Sequence, residues 1–278
     1  MTLEHTPVER TIPTPGVVLA LLVLGLVAAA VAVPDVISGS PNDVDPTDAF
    51  HSPSFQHFFG TDWLGRDVFA RVVHGARASL AIGIGGTALA SFAGSVWGLA
   101  AGLGGRTVDT IAMRAADILL SFPSILMALL IVTILGPGTV NVTFAIALAL
   151  APGFARIVRV QTQLVARSSY VATARDLGVP SHRILLHHIA PNVLLPICAL
   201  ATVSVASAIM TGASLSFLGL GPQPPAPEWG SMLAQSRNYL GADWTLALFP
   251  GVAITITVMA VSVVGRILQT RFEGKEGT

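Results

Sequence analysis

The sequence predicts an all-α membrane protein: six transmembrane helices with one short cytosolic helix between the fourth and fifth. Three observations lead there. Only 11% of the 278 residues are charged, where a soluble domain carries about 25%. Apolar residues are 53% of the chain and the mean hydropathy is +0.72. The apolar residues fall into six long runs rather than the short alternating segments of a sheet protein.

The runs cover residues 16–33, 78–102, 117–135, 140–155, 193–211 and 246–267. A bilayer core of about 30 Å needs roughly 20 residues of helix. The first run follows Arg10 and ends in small residues near Ala28, which resembles a cleaved signal. Its length, and five further runs behind it, favour a retained anchor. The second run is rich in glycine (Gly83, Gly85, Gly86, Gly94, Gly98, Gly102), which suits close helix packing or a surface that slides during gating. Pro123 interrupts the third run, whose deepest acid, Asp117, has Arg114 one turn away as its expected partner. Arg156 and Arg159 bound the fourth run and are expected to snorkel. Pro196 interrupts the fifth, a break that neighbouring helices or water can satisfy. With the N-terminus inside, 11 basic residues lie on the cytosolic side (Arg10, Arg106, Arg114, Arg156, Arg159, Arg167, Arg175, Arg183, Arg266, Arg271, Lys275) and four outside (Arg66, Arg71, Arg77, Arg237). That bias puts both termini in the cytosol and the acids Asp35, Asp43, Asp45 and Asp48 outside.

The polar stretch 169–178 reads as one isolated helix at the cytosolic surface. Ser168 or Ser169 serves as N-cap and Gly178 as the left-handed closing residue. Ala172, Thr173 and Ala174 give it a small face, suited to a groove in another protein.

Several functions are disfavoured. Net charge is zero, which gives no electrostatic case for nucleic acid. There is no G-x-x-x-x-G-K-[ST] loop, and the single lysine is Lys275. No H-E-x-x-H occurs, and the single cysteine, Cys198, can form no internal disulfide. His182, His187 and His188 do not share one helix face, and so read as interfacial residues rather than metal ligands. Ser214 follows Gly212-Ala213, yet no histidine comes after His188 to act as its base, which disfavours a membrane enzyme. No run holds an acid near its middle, which disfavours a self-contained, proton-coupled transporter. Energy is expected from another subunit; a self-contained secondary transporter or channel is the alternative.

Residues 170–178 (Tyr170, Val171, Ala172, Thr173, Ala174, Arg175, Asp176, Leu177, Gly178), continued by Val179-Pro180-Ser181-His182-Arg183-Ile184 and Ala190-Pro191-Asn192-Val193-Leu194-Leu195-Pro196, resemble the coupling loop of ABC importer permeases of the dipeptide/oligopeptide/nickel type. Three more blocks resemble the second, C-type permease of such systems. They are Gly60-Thr61-Asp62-Trp63-Leu64-Gly65-Arg66-Asp67 with Gly75-Ala76-Arg77; Met113-Arg114 through Asp117 to Phe122-Pro123 with Gly136-Pro137-Gly138; and Ser216-Phe217-Leu218-Gly219-Leu220-Gly221 with Pro224-Pro225, Trp229-Gly230 and Phe249-Pro250-Gly251. The blocks span roughly residues 57–270 in family order.

The resemblance implies a type I ABC importer permease architecture, with residues 1–56 as the tail, first helix and start of the outer loop, and 57–278 as the permease domain. It implies a multi-pass cytoplasmic (inner) membrane subunit forming half of a pathway for peptides or a similar small solute. Its implied partners are the lipid bilayer, a second homologous permease subunit, ATP-binding subunits and an extracytoplasmic substrate-binding protein. The chain would have no catalytic role and no cofactor of its own, with ATP and magnesium on the partner ATPase. Coupling would fall to Tyr170, Ala172, Thr173, Ala174, Arg175, Asp176, Leu177 and Gly178. Two departures stand out. The family's Glu-Ala-Ala is Ala172-Thr173-Ala174 here; with Ser169 as N-cap, Ala172 takes the third helical position, where a glutamate would close a capping box. The end of the last run, Gly265-Arg266 into Gln269-Thr270-Arg271, also differs from the family's acidic tail.

Overall fold

Two long helices that run side by side in the same direction organise the bundle. The computed structural model describes residues 15–273, with no strand of two or more residues among them. Arg10, Lys275 and both chain termini lie outside the described residues. In order, the helices are α1 (Pro15–Ala32), α2 (Pro34–Ile37), α3 (Val68–Leu103), α4 (Gly105–Leu120), α5 (Ser124–Leu135), α6 (Thr139–Ala166), α7 (Ser169–Asp176), α8 (Ser181–Ile184), α9 (Ala190–Phe217), α10 (Trp229–Ser236) and α11 (Thr245–Glu273). A π-helical turn, Leu185–Ile189, joins α8 to α9.

Glycine sets the α3–α6 contact. A Cβ on Gly94 would lie 2.4 Å from Phe154 Cβ, one on Gly98 2.5 Å from the Ala155 carbonyl, and one on Gly102 2.7 Å from Thr162 Cγ2. At Gly86 the nearest atoms belong to Ile146. These glycines are a packing surface, since their faces are already filled. The register is parallel: Gly86 meets Ile146 and Gly102 meets Thr162. The chain between them must therefore travel back along α3, a path of about 27 Å for the rise from residue 85 to residue 103.

That return path corrects the third predicted run. Residues 117–135 are not one continuous helix: α4 and α5 meet at 90°, broken at Ser121–Pro123. Pro123 precedes α5 with an extended backbone (φ −55°, ψ 131°) and cannot continue α4. Among the described residues, five helices are long and apolar enough to cross a membrane, or six if the bent pair is taken as one span. Asp117 pairs with Arg156 on α6, not with Arg114, and Asp109 pairs bidentately with Arg159. α6 continues to Ala166, eleven residues past the predicted end, with Arg156 and Arg159 paired to α4.

The chain ends α3 and α6 share lead into α4 and α7. The opposite end of the bundle carries residues 38–67 and 218–244. Asp67 caps α3 there, accepting from Ala70 N at 2.8 Å, which starts the helix ten residues before the predicted run. Arg77 on α3 donates to the last carbonyls of α1, Val31 O (2.6 Å) and Ala32 O (3.1 Å), and so satisfies that helix end. His57 bridges Asp67 (2.8 Å) and Asp48 (3.1 Å). Asp62 takes a hydrogen bond from Arg66 Nε at 2.7 Å and lies 3.8 Å from Arg71 Nε, all three side chains being buried. Glu228 is buried as well; it accepts from Ser79 Oγ (3.0 Å) and from Gly230 N and Ser231 N, which caps α10 and ties it to α3.

Gly98→Val forces α3 and α6 apart and is expected to lower the thermal midpoint of the purified chain by an amount equivalent to about 1–3 kcal/mol or more. Gly153→Ala, where a Cβ meets nothing within 4 Å, is expected to leave it unchanged or raise it, measured by thermal melting in detergent. Asp62→Asn leaves two buried guanidiniums without their carboxylate. The expected loss is about 3–5 kcal/mol, read as reduced recovery of folded protein, with Asp62→Glu recovering part of it.

Candidate docking site

α7 stands between α6 and α8 at the α4 end of the bundle. Its N-cap is Ser168, so Ser169 is the first helical residue and not the cap. Ser168 makes no capping bond; its hydroxyl donates to Val165 O at the end of α6. Ala172 therefore takes the fourth helical position, and its N–H makes the first helical bond, to Ser168 O at 3.1 Å. The capping-box position is occupied by Val171, so a glutamate at 172 would face outward and close no box.

The C-terminus ends as expected. Gly178 has φ +76°. Its N–H donates to Arg175 O (2.9 Å), and Val179 N–H donates to Ala174 O (3.0 Å). These are the paired bonds of a Schellman closure, in which a left-handed residue satisfies the last carbonyls. A Cβ on Gly178 would meet nothing within 4 Å, so its glycine is required by backbone conformation alone.

One edge of α7 is seated on its own chain. Val171 is 0% and Ala174 8% exposed, in a cluster with Phe154 and Val158 of α6, Ile184, Ile189, and Val193 and Ile197 of α9. Val179 packs on the same cluster, which adds the apolar contact that accompanies this closure. The small face is therefore split. Ala174 points inward, while Ala172 and Thr173 are exposed. Tyr170, Thr173 and Leu177 share the outward face at i, i+3 and i+7. Tyr170 is 45% and Leu177 78% exposed, so two large apolar side chains stand free there. Thr173 Oγ1 is bonded to Ser169 O at 3.0 Å. Arg175 and Asp176 are exposed, with no ion pair to another described residue. The buried seat, Val171 with Val179, went unread in the sequence; the apolar residues at 171, 174 and 179 flanking the closing glycine are its signal.

The other candidates do not gather into a site. His187 Nδ1 lies 3.3 Å from Arg183 O, and the His188 ring tilts toward Tyr170 at 6.4 Å between centroids. Among the described residues no three His, Cys, Asp or Glu side chains are arranged to hold a metal ion. Ser214 donates to Met210 O on its own helix. Cys198 is an exposed free thiol on α9.

Comparison with known proteins adds the family. The profile of the binding-protein-dependent transport system inner membrane component matches residues 94–276. The dipeptide transport system permease protein DppC of Alkalihalophilus pseudofirmus is 40% identical over 256 residues, covering 92% of this chain and 84% of that protein. The glutathione transport system permease protein GsiD of Pectobacterium atrosepticum is 41% identical over 223 residues, 80% of this chain and 74% of that one. Among solved structures, the methionine ABC transporter MetNI in inward-facing conformations matches with a TM-score of 0.55 and 21% identity, over 72% of this chain and 95% of the matched chain. That likeness gives the type I importer permease fold. The match over more than half the chain, with relatives at 40% identity along most of their length, places the chain in the family of binding-protein-dependent transport system inner membrane components, the non-catalytic, multi-pass permease subunits of ABC importers.

Proposed function

We propose that this chain forms one half of an import pathway for peptides or a similar small solute, and that α7 is the surface on which an ATP-binding subunit docks. The observation that carries the docking reading is a rigid helix, seated along one edge and closed by Gly178, that presents Tyr170 and Leu177 unburied. Peptide cargo is supported by relatives named as dipeptide, di/tripeptide and glutathione permeases. The second half of the pathway is a homologous permease. An extracytoplasmic binding protein delivers cargo at the end that carries residues 38–67 and 218–244. ATP and magnesium belong to the partner ATPase. Residues 1–56 form a lead-in and 57–278 the permease domain. Both termini are cytosolic, as is α7.

Transport follows from a difference in contact free energy. If the ATPase pair binds the permease differently in its two states, ATP binding shifts the permease between them. A peg that bent under load would dissipate that difference. The seat of Val171, Ala174 and Val179 transmits motion of α7 directly to α6 and α9, because all three elements share one packed cluster.

Gly178→Val tests the peg. A valine at φ +76° costs about 1–2 kcal/mol, which redirects the helix end without touching a spanning helix. Co-purification of the ATP-binding subunits and substrate uptake are both expected to fall, with membrane insertion unchanged. Leu177→Asp is expected to do the same through the exposed face, and Ala172→Glu to be tolerated. If Gly178→Val and Leu177→Asp both keep wild-type co-purification and uptake, α7 is only a connector. Orientation has its own test, with Cys198→Ser as background. A cysteine at Asp45 is expected to react with an impermeant thiol reagent in intact cells, and one at Arg167 is not; the reverse pattern overturns the topology.

A further inference from the structure

A polar cavity of about 380 Å³ lies at the α7 end, where α3, α4, α6 and α7 converge. Ala101, Gly102 and Leu103 close the end of α3; Arg106 comes from the first turn of α4, Arg167 from the end of α6 and Arg175 from α7. All three arginines are exposed, and none makes an ion pair with another described residue. The acid in the lining, Asp109, is already committed to Arg159. The other nearby acid–arginine pair, Asp117 with Arg156, is likewise closed. Three like charges around one cavity repel each other unless an anion lies between them. The first turn of α4 adds to this, because its N-cap is Gly104 and no side chain caps it.

We propose that this cavity binds a phosphate-bearing anion. Guanidinium groups match phosphate oxygens in paired, charge-assisted hydrogen bonds, and three of them from three helices can surround one phosphate. The volume falls within the range of small-ligand pockets. The location suits a phospholipid headgroup, since the cavity opens where the apolar run of α3 ends. Leu103 and Val108 beside it leave 38% and 45% of their surface uncovered. A free phosphate group has the same chemistry. Either ligand ties α7 to the ends of α3 and α4, which line the same cavity. Occupancy therefore adjusts how firmly the peg is held. Arg175 belongs to α7, so the site adjoins the proposed docking surface, but its binding is read without the ATPase.

The test uses the full chain purified in a zwitterionic detergent, without ATP-binding subunits. Inorganic phosphate and short-chain phosphatidylglycerol are titrated separately, with phosphatidylcholine of equal chain length as control, and binding is read by thermal shift. At least one of the two anions is expected to bind and phosphatidylcholine is not. Affinity is expected to fall about tenfold or more for each of Arg106→Gln, Arg167→Gln and Arg175→Gln, the range for a hydrogen bond to a charged group. It is expected to hold in Arg114→Gln, an exposed arginine of α4 away from the cavity. The triple Arg→Lys variant, which keeps charge but not paired geometry, is expected to bind with intermediate affinity. Binding of phosphatidylglycerol alone identifies a lipid headgroup, and binding of inorganic phosphate identifies a soluble ligand; either supports the site. An equal response to phosphatidylcholine overturns the proposal, as does affinity indifferent to all three arginines. A response that appears only once ATP-binding subunits are added also overturns it, and assigns the arginines to protein docking.

Discussion

The close approach of α3 and α6 along Gly86, Gly94, Gly98 and Gly102 is the constraint on which the rest of the fold depends. In a lipid-facing protein the hydrophobic effect does not hold two helices together, because lipid is as apolar as the partner helix. Backbone approach at glycine supplies dispersion contacts that larger residues would prevent. The parallel register of the pair then dictates the connection. The segment between α3 and α6 has to return, and the broken pair α4–α5 is that return. One end of the bundle is consequently left for the loops around Asp62 and Glu228, and the other for α4 and α7.

The two ends handle charge in opposite ways. At the loop end, charges are buried and paired: Asp62 with Arg66 and Arg71, and Glu228 with Ser79 and two backbone N–H groups. Buried charges of this kind contribute little net stability, but removing one partner is costly, so they fix the loops in a single arrangement against α3. At the α7 end, the two ion pairs that hold α4 to α6 use Arg156 and Arg159, and Arg106, Arg167 and Arg175 stay unpaired. The loop end is closed by buried, paired charges, and the α7 end is open and basic.

α7 lies where these features meet. Its buried edge makes it part of the α6–α9 core, and its left-handed closure stops it after two turns. The substitution of the family glutamate by Ala172 falls on the exposed side of the fourth helical position, so the closure and the seat are both intact without it.

The class of protein was legible from composition and apolar run length, because a lipid solvent excludes charge and requires about 20 residues per crossing. Five of the six runs, Gly178 as closing residue and the glycine face of the second run could be read from local chemistry, since each depends on backbone conformation or on residues near in sequence, whereas the 90° break in the third run could not. The sequence did not show which way a helix face turns. Ala174 looks like part of one small outward face with Ala172 and Thr173, yet it packs inward, because Val171 and Val179 choose the buried edge together with α6 and α9. Partners for charges were equally hidden. Asp117 has Arg114 one turn away, but its true partner, Arg156, is 39 residues distant and is brought near only by the parallel register of α3 and α6. Of the two cap candidates for α7, Ser168 and Ser169, the structure takes Ser168, because the end of α6 sets where the next helix can begin. Run length and cap chemistry are written in neighbouring residues; facing, pairing and register are set by long-range packing.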